Sequence, residues 1–138
     1  MNYYSTFIQI AADCPVKMAV IPVVKNGQKS VPVFEYELLS AKPYFYTQEE
    51  LLFEVHVRRK SIAANELKSR RQELWREFFY KPHACLRASS LPKKYGWGIH
   101  FNIEGKIALV PMESKEYQRL VKNESFKQLL AMRSQRER

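Results

Sequence analysis

The chain is short of the residues that staple, punctuate or anchor a fold. Of its 138 residues only two are cysteine, Cys14 and Cys85. They fit neither a disulfide framework nor a CxxC redox or zinc pattern, so both are expected as free thiols, buried or semi-exposed. Glycine occurs four times, never as a P-loop or a GxGxxG turn, and a GxSxG nucleophile elbow is absent as well. The uncharged apolar runs fall far short of the roughly 20 residues that a membrane-spanning helix requires. The first residues, MNYYSTFIQI, lack the basic and apolar regions of a signal peptide. These absences lead us to expect a cytoplasmic protein with no membrane partner and no cofactor.

What is present suits one globular domain. Hydrophobic residues make up 46% and aromatics 13% of the chain, enough to bury a core at this length without metal or disulfide. Net charge is +9, unevenly spread: residues 1–55 carry −2, residues 56–100 carry +8 and residues 101–138 carry +3. The basic middle third could attract a polyanion by steering or counterion release. A solvated face on a basic protein is the plainer explanation.

Periodicity gives a coarse map. Tyr4, Thr6, Ile8 and Ile10 alternate as in a strand. Asn26-Gly27 is a hairpin turn signal between Ala19–Lys25 and Gln28–Leu39, with Phe34, Tyr36 and Leu38 on one strand face and Pro22 and Pro32 suited to edges. Thr47 with Glu50 forms a capping box that starts a helix, and Tyr46 can staple onto Leu51; the alternation of Phe53, Val55 and Val57 leaves its second half open to a strand. A second helix from Ala63 to Tyr80 carries the stripe Leu67, Leu74, Trp75, Phe78 and Phe79, and Pro82 ends it. Tyr95, Trp97, Ile99, Phe101 and Ile103 share the buried face of a strand whose other face holds Gly96, Gly98, His100 and Asn102. Glu104-Gly105 turns it back into Lys106–Val110. Short helices are expected near Ser114–Val121 and Ser125–Met132. The domain spans residues 1–130, and residues 131–138 form a frayed basic tail. The expected fold class is α+β, a small antiparallel sheet of hairpins packed against two to four helices.

Catalytic constellations are thin. His83 and Cys85 are one imperfect ligand pair where structural zinc uses two, so no metal is expected. Cys85 or Ser89 could pair with His100, with Glu104 near in sequence, but a triad is a matter of geometry. Glu35 and Glu37 read as neighbours on a solvated strand face. The basic set is the strongest signal. Arg58, Arg59 and Lys60 end one helix, where cations also favour the helix dipole. Lys68, Arg70, Arg71 and Arg76 decorate the next. Arg87, Lys93, Lys94 and Tyr95 lead to the glycine-bearing strand and His100. If these regions converge they make a cationic rim around a glycine-floored groove, in which Tyr95 stacks on a base or sugar.

The blocks YSTFIQIAADCP, YTQEELLFEVHVRRK, CLRASSLPKKYGWGIHF and EGKIAL followed by ESKEYQRL give the chain a resemblance to a family of small bacterial proteins known only as a domain of unknown function. The resemblance covers most of residues 3–121. It implies a self-contained cytoplasmic bacterial protein and brings no activity, cofactor or catalytic residue. Three functions remain: a non-enzymatic binder of an anionic ligand, nucleic acid or nucleotide; a small enzyme using Cys85 or His100; and a protein-interaction module. Nothing in the sequence fixes the oligomeric state.

Overall fold

The computed structural model, which describes residues 1–135, sets the first and last strands of the chain side by side. β1 (Thr6–Gln9) runs parallel to β4 (Lys127–Leu130), in register from Thr6 opposite Lys127 to Gln9 opposite Leu130. On its other side β1 is antiparallel to β2 (Trp97–Phe101), and β2 to β3 (Ile107–Pro111), giving one mixed sheet in the order β3-β2-β1-β4. The fold is α+β, as expected, with a mixed rather than purely antiparallel sheet. Three longer helices, α1 (Val31–Ala41), α2 (Gln48–Arg59) and α3 (Ala64–Tyr80), lie between β1 and β2 in sequence, followed by the short α4 (Ser90–Lys94); α5 (Lys115–Lys122) joins β3 to β4. Among the described residues no helix is long and apolar enough to cross a membrane.

Both sheet faces are covered. Ile8, Ile99, Phe101 and Ile107 meet Leu38 and Leu39 of α1 and Leu51 and Val55 of α2 in the larger core. Phe7 and Val110 meet Tyr117 and Leu120 of α5 in the smaller one. Because β1 is interior and packed on both sides, Thr6, Phe7 and Ile8 are all buried, and alternation with solvent is lost.

Local signals explain several elements. Thr47 accepts the N–H of Glu50 while the Glu50 carboxylate accepts the N–H of Thr47, so the capping box is formed and α2 runs unbroken to Arg59. Ser114 caps α5. The β2–β3 turn closes where the Asn102 side chain accepts the N–H groups of Glu104 and Lys106 and Gly105 takes a positive φ of 80°. That is the three-residue hairpin with its glycine at the left-handed position.

Two expectations fail. Val33–Leu39 is not a return strand: Asn26 and Gly27 do turn, with φ of 53° and 71°, but they close only an isolated Lys25–Gln28 bridge. Ser30 and Pro32 start α1 instead, since proline is favoured in a first helical turn and cannot serve an interior ladder. Ser125–Met132 is not a helix; β4 forms over Lys127–Leu130 because β1 offers a free edge. Residues 131–135, expected as part of a basic tail, carry backbone hydrogen bonds. The N–H of Ala131 donates to the Gln9 carbonyl, that of Met132 to the Arg87 carbonyl, and those of Ser134 and Gln135 to the Asp13 carboxylate. Arg136–Arg138 lie outside the described residues.

The face of β2 that carries Gly98 and His100 is filled as well. A Cβ on Gly98 would meet the rings of Phe7 and Tyr117 at 2.8 Å. At Gly96 it would meet Val16 and Met112 at 2.9 Å and the Met18 carbonyl at 3.1 Å. These glycines admit the protein's own rings and backbone. Gly98→Ala is therefore expected to cost about 1–3 kcal/mol by overpacking, measured as a lower urea midpoint with unchanged slope.

Candidate functional site

The eight residues singled out from sequence do not gather round one groove. Arg58 and Lys94 line different clefts, one of ≈ 300 Å³ with Lys29, Glu37 and Tyr46, the other of ≈ 330 Å³ with Asp13, Pro15 and Ser134. Arg59 and Lys60 are exposed at the end of α2, and Lys93 is half-buried on α4. Arg87 serves the fold itself, since its Nε donates to the Leu130 carbonyl at 2.8 Å and so caps the outer edge of β4. Tyr95 is half-buried and its carbonyl accepts the N–H of Val20. His100, expected on an open face, is only 9% exposed. Its Nδ1 lies 2.8 Å from the Tyr44 hydroxyl, and its ring is edge-on to Phe126 at 4.8 Å between centroids. Burial holds the imidazole below its usual pKa, so at neutral pH it is no cation. The glycine floor is plugged and the cationic rim is dispersed.

The enzymatic alternative finds no matching geometry among its named residues. The Cys85 Sγ accepts a hydrogen bond from the Tyr3 hydroxyl at 3.3 Å, whereas the polar partner of His100 is Tyr44, so the two do not form a thiol–imidazole pair. Ser89 donates to Glu35 Oε1 at 2.8 Å and accepts the N–H of Leu91 as the cap of α4. Among the described residues no group of three or more His, Cys, Asp or Glu side chains is placed to hold a metal ion.

Glu35 departs most from expectation. On α1 rather than on a strand, it is 3% exposed. Burial pushes its carboxyl up to about 7, against a lowering by the Ser89 hydroxyl. Because this value lies above the ordinary one of 4.5, the contribution of the protonated group to stability is complete below the ordinary value. It is lost as pH rises through about 7. Glu35→Gln should remove this dependence, and at about pH 8 the variant should exceed the wild type by about 3 kcal/mol. Urea denaturation of both proteins across the pH range checks it.

The open surface is on α3. Its apolar stripe exists as expected, yet none of its 17 residues is buried. The helix leans on α2 through rings: Phe53 lies 5.0 Å from Trp75 and 6.0 Å from Phe78, and His56 lies 4.5 Å from Phe78. Mid-helix, Arg70 leaves helical geometry at φ −123° and ψ 21°. Its guanidinium then bridges the kink, binding Glu66 on one side at 2.9 Å and Glu73 and Glu77 on the other at 3.1 and 3.3 Å. One cation thus occupies every carboxylate on α3. Among the described residues Lys68, Arg71 and Arg76 make no ion pair, and Arg71 lies over the Phe53 ring at 5.3 Å. Arg71, Gln72, Trp75 and Arg76 line a cleft of ≈ 360 Å³. It shares Arg71, Gln72 and Arg76 with a second of ≈ 490 Å³ that Lys68 also lines. All these residues belong to one helix, so the site is a pair of notches between long side chains on a cationic shoulder, with Trp75 at its base.

The sequence showed Lys68, Arg70, Arg71 and Arg76 as helix decoration and as one region of a rim formed only if three basic segments converge, not as a surface of their own. The spacing of Glu66, Glu73 and Glu77 at four residues before and three and seven after Arg70 was the available signal, since such positions share one side of a helix.

Fold and surface together define a small α+β domain with an exposed cationic–aromatic helix. The chain belongs to a family of unknown function (DUF6157), whose model matches residues 1–137. Comparison with curated proteins and with solved structures gave no match.

Proposed function

We propose that the protein is a non-enzymatic binder of single-stranded nucleic acid, and that α3 is the binding element. One observation carries this reading: Arg70 pairs with all three carboxylates of the helix, so that Arg71 and Arg76 beside Trp75, and Lys68 in the adjoining notch, form no ion pair among the described residues. Lysine and arginine hold phosphate oxygens, and an accessible indole offers a sequence-tolerant stacking platform for a base. The shoulder is open and convex, which suits a strand laid across it better than an enclosed small molecule. An acidic peptide would satisfy the cations and make less use of the ring.

With three phosphates neutralised, affinity for fluorescein-labelled oligothymidylate should fall about 20-fold between about 50 and 200 mM salt. Arg71→Glu with Arg76→Glu should weaken binding at least about tenfold in fluorescence anisotropy. Lys93→Glu with Lys94→Glu should leave it nearly unchanged. If the second pair abolishes binding and the first does not, the site is on α4 and the assignment to α3 is wrong. Equal competition by polyglutamate would indicate a protein partner instead.

Arg70→Gln offers a separate check. It removes no residue that lines the Trp75 notch but releases Glu66, Glu73 and Glu77 beside it. The variant should bind oligothymidylate several-fold more weakly, with the loss largest at low salt, where unscreened carboxylates repel phosphate most.

A further inference from the structure

A second surface, independent of α3, is left open by the segment from Lys17 to Lys25. We infer that this arm is a docking strand for an extended apolar peptide segment of a partner protein, one that carries acidic residues at both ends. Met18, Val20, Ile21, Val23 and Val24 are all exposed, Ile21 at 54% and Val23 at 65%. Contiguous apolar exposure of this kind marks an interaction surface.

The arm is held in place rather than loose. At its base the N–H of Ala19 donates to Glu113 Oε1 at 3.0 Å, that of Val20 to the Tyr95 carbonyl at 2.8 Å, and Trp97 Nε1 to the Val20 carbonyl at 2.8 Å. Pro22 is buried and its ring fixes φ. At the tip, Lys25 and Gln28 exchange backbone hydrogen bonds of 3.3 and 2.9 Å across the Asn26-Gly27 turn. Pre-organisation of this kind lowers the entropy lost on binding.

The backbone indicates what kind of partner fits. Among the described residues the N–H groups of Ile21, Val23 and Val24 have no hydrogen-bond acceptor. Free donors beside exposed β-branched side chains are a template for pairing with another chain. A bilayer would bury the side chains yet supply no acceptors for those donors.

Charge narrows the choice further. Lys17 and Lys25 bracket the apolar run, while Lys29 is neutralised by Glu37 at 3.0 Å. A second copy pairing antiparallel about Ile21 would set Lys17 opposite Lys25 at both ends, and an in-register parallel copy would set lysine against lysine. Like charges directly opposite destabilise a strand pair. Carboxylates at the two ends of a partner segment complement the arm instead.

The test uses the full chain, ¹⁵N-labelled, titrated with the blocked peptide Glu-Val-Thr-Val-Thr-Val-Glu and separately with its lysine-flanked counterpart. The acid-flanked peptide should shift the amide signals of residues 18–24 and slow hydrogen exchange at Ile21 and Val23, whose N–H groups share the edge turned away from the Val20 contacts; the lysine-flanked one should do neither. Val23→Pro, which removes one of the donors at an exposed position, should weaken binding about fivefold or more, with the β2 and β3 signals unmoved as evidence of an intact fold. An unresponsive arm, an equal response to both peptides, or binding to anionic phosphatidylglycerol vesicles without peptide binding would overturn the proposal. So would concentration-dependent broadening of the arm signals in the absence of peptide, which would point to a second copy.

Discussion

Parallel pairing of β4 with β1 is the constraint on which the rest of this structure depends. It puts the first strand of the chain inside the sheet, with backbone partners on both sides. Its successive side chains point to opposite faces and are apolar on both, Ile8 on one and Phe7 on the other, so each face needs its own cover. Helices α1 and α2 supply one and α5 the other. The smaller cover packs two rings, Phe7 and Tyr117, edge to face at 5.2 Å, directly above β2. There is room for them only because position 98 has no side chain. The same layer buries His100, and burial holds its imidazole below the usual pKa. A row that would be a ligand floor on an exposed hairpin is thereby an internal surface.

With the sheet closed on both faces, charge and apolar area left over from the core have to sit elsewhere. They sit on α3 and on the arm before α1. Helix α3 contributes no buried residue and is joined to the body by a few ring contacts around Phe53 and Phe78. Exposed ion pairs contribute little to stability, so the three partners of Arg70 matter less for holding the helix than for the field around it. By gathering the three carboxylates around one guanidinium, the helix separates its charges into a patch of net negative charge and a cationic one. A helix with the same net charge but evenly paired side chains would present no such contrast.

The sequence was most legible where the signal is local. The Thr47–Glu50 box, the short helix near Ser114–Val121 and the Glu104-Gly105 turn are each satisfied within a few residues, and all three form. Where the deciding partner is distant, pattern misled. Phe34, Tyr36 and Leu38 alternate like a strand, yet Ser30 and Pro32 already marked a helix start. β4 has too few residues to declare itself, because its pairing is with a strand more than a hundred positions earlier. The contact of Asp13 with the backbone of Ser134 and Gln135 is distant in the same way and left no local mark. Gly98 and Glu35 were read as exposed because neither tells, from its own neighbourhood, that a ring or a helix lies on top of it. Of the candidate surface, the cations and aromatics of α3 were visible in the sequence, and the separation of charge by Arg70 was not.

An apolar side chain kept in water forgoes about 1.5–3 kcal/mol that burial would supply. The arm keeps five of them outside, and α3 keeps its tryptophan and phenylalanines only half covered. The two cores on the sheet close without the arm's exposed side chains, whereas Trp75 and Phe78 of α3 cover Phe53 of α2 with only part of their rings. A polar replacement at Val23 would leave the sheet, its register and its covers as they are. Exposed apolar area beside cations and free backbone donors is what the two proposed surfaces rest on. Stability is thus set by the end-to-end closure of β1 on β4, and both proposed recognition surfaces lie on elements that this closure leaves outside.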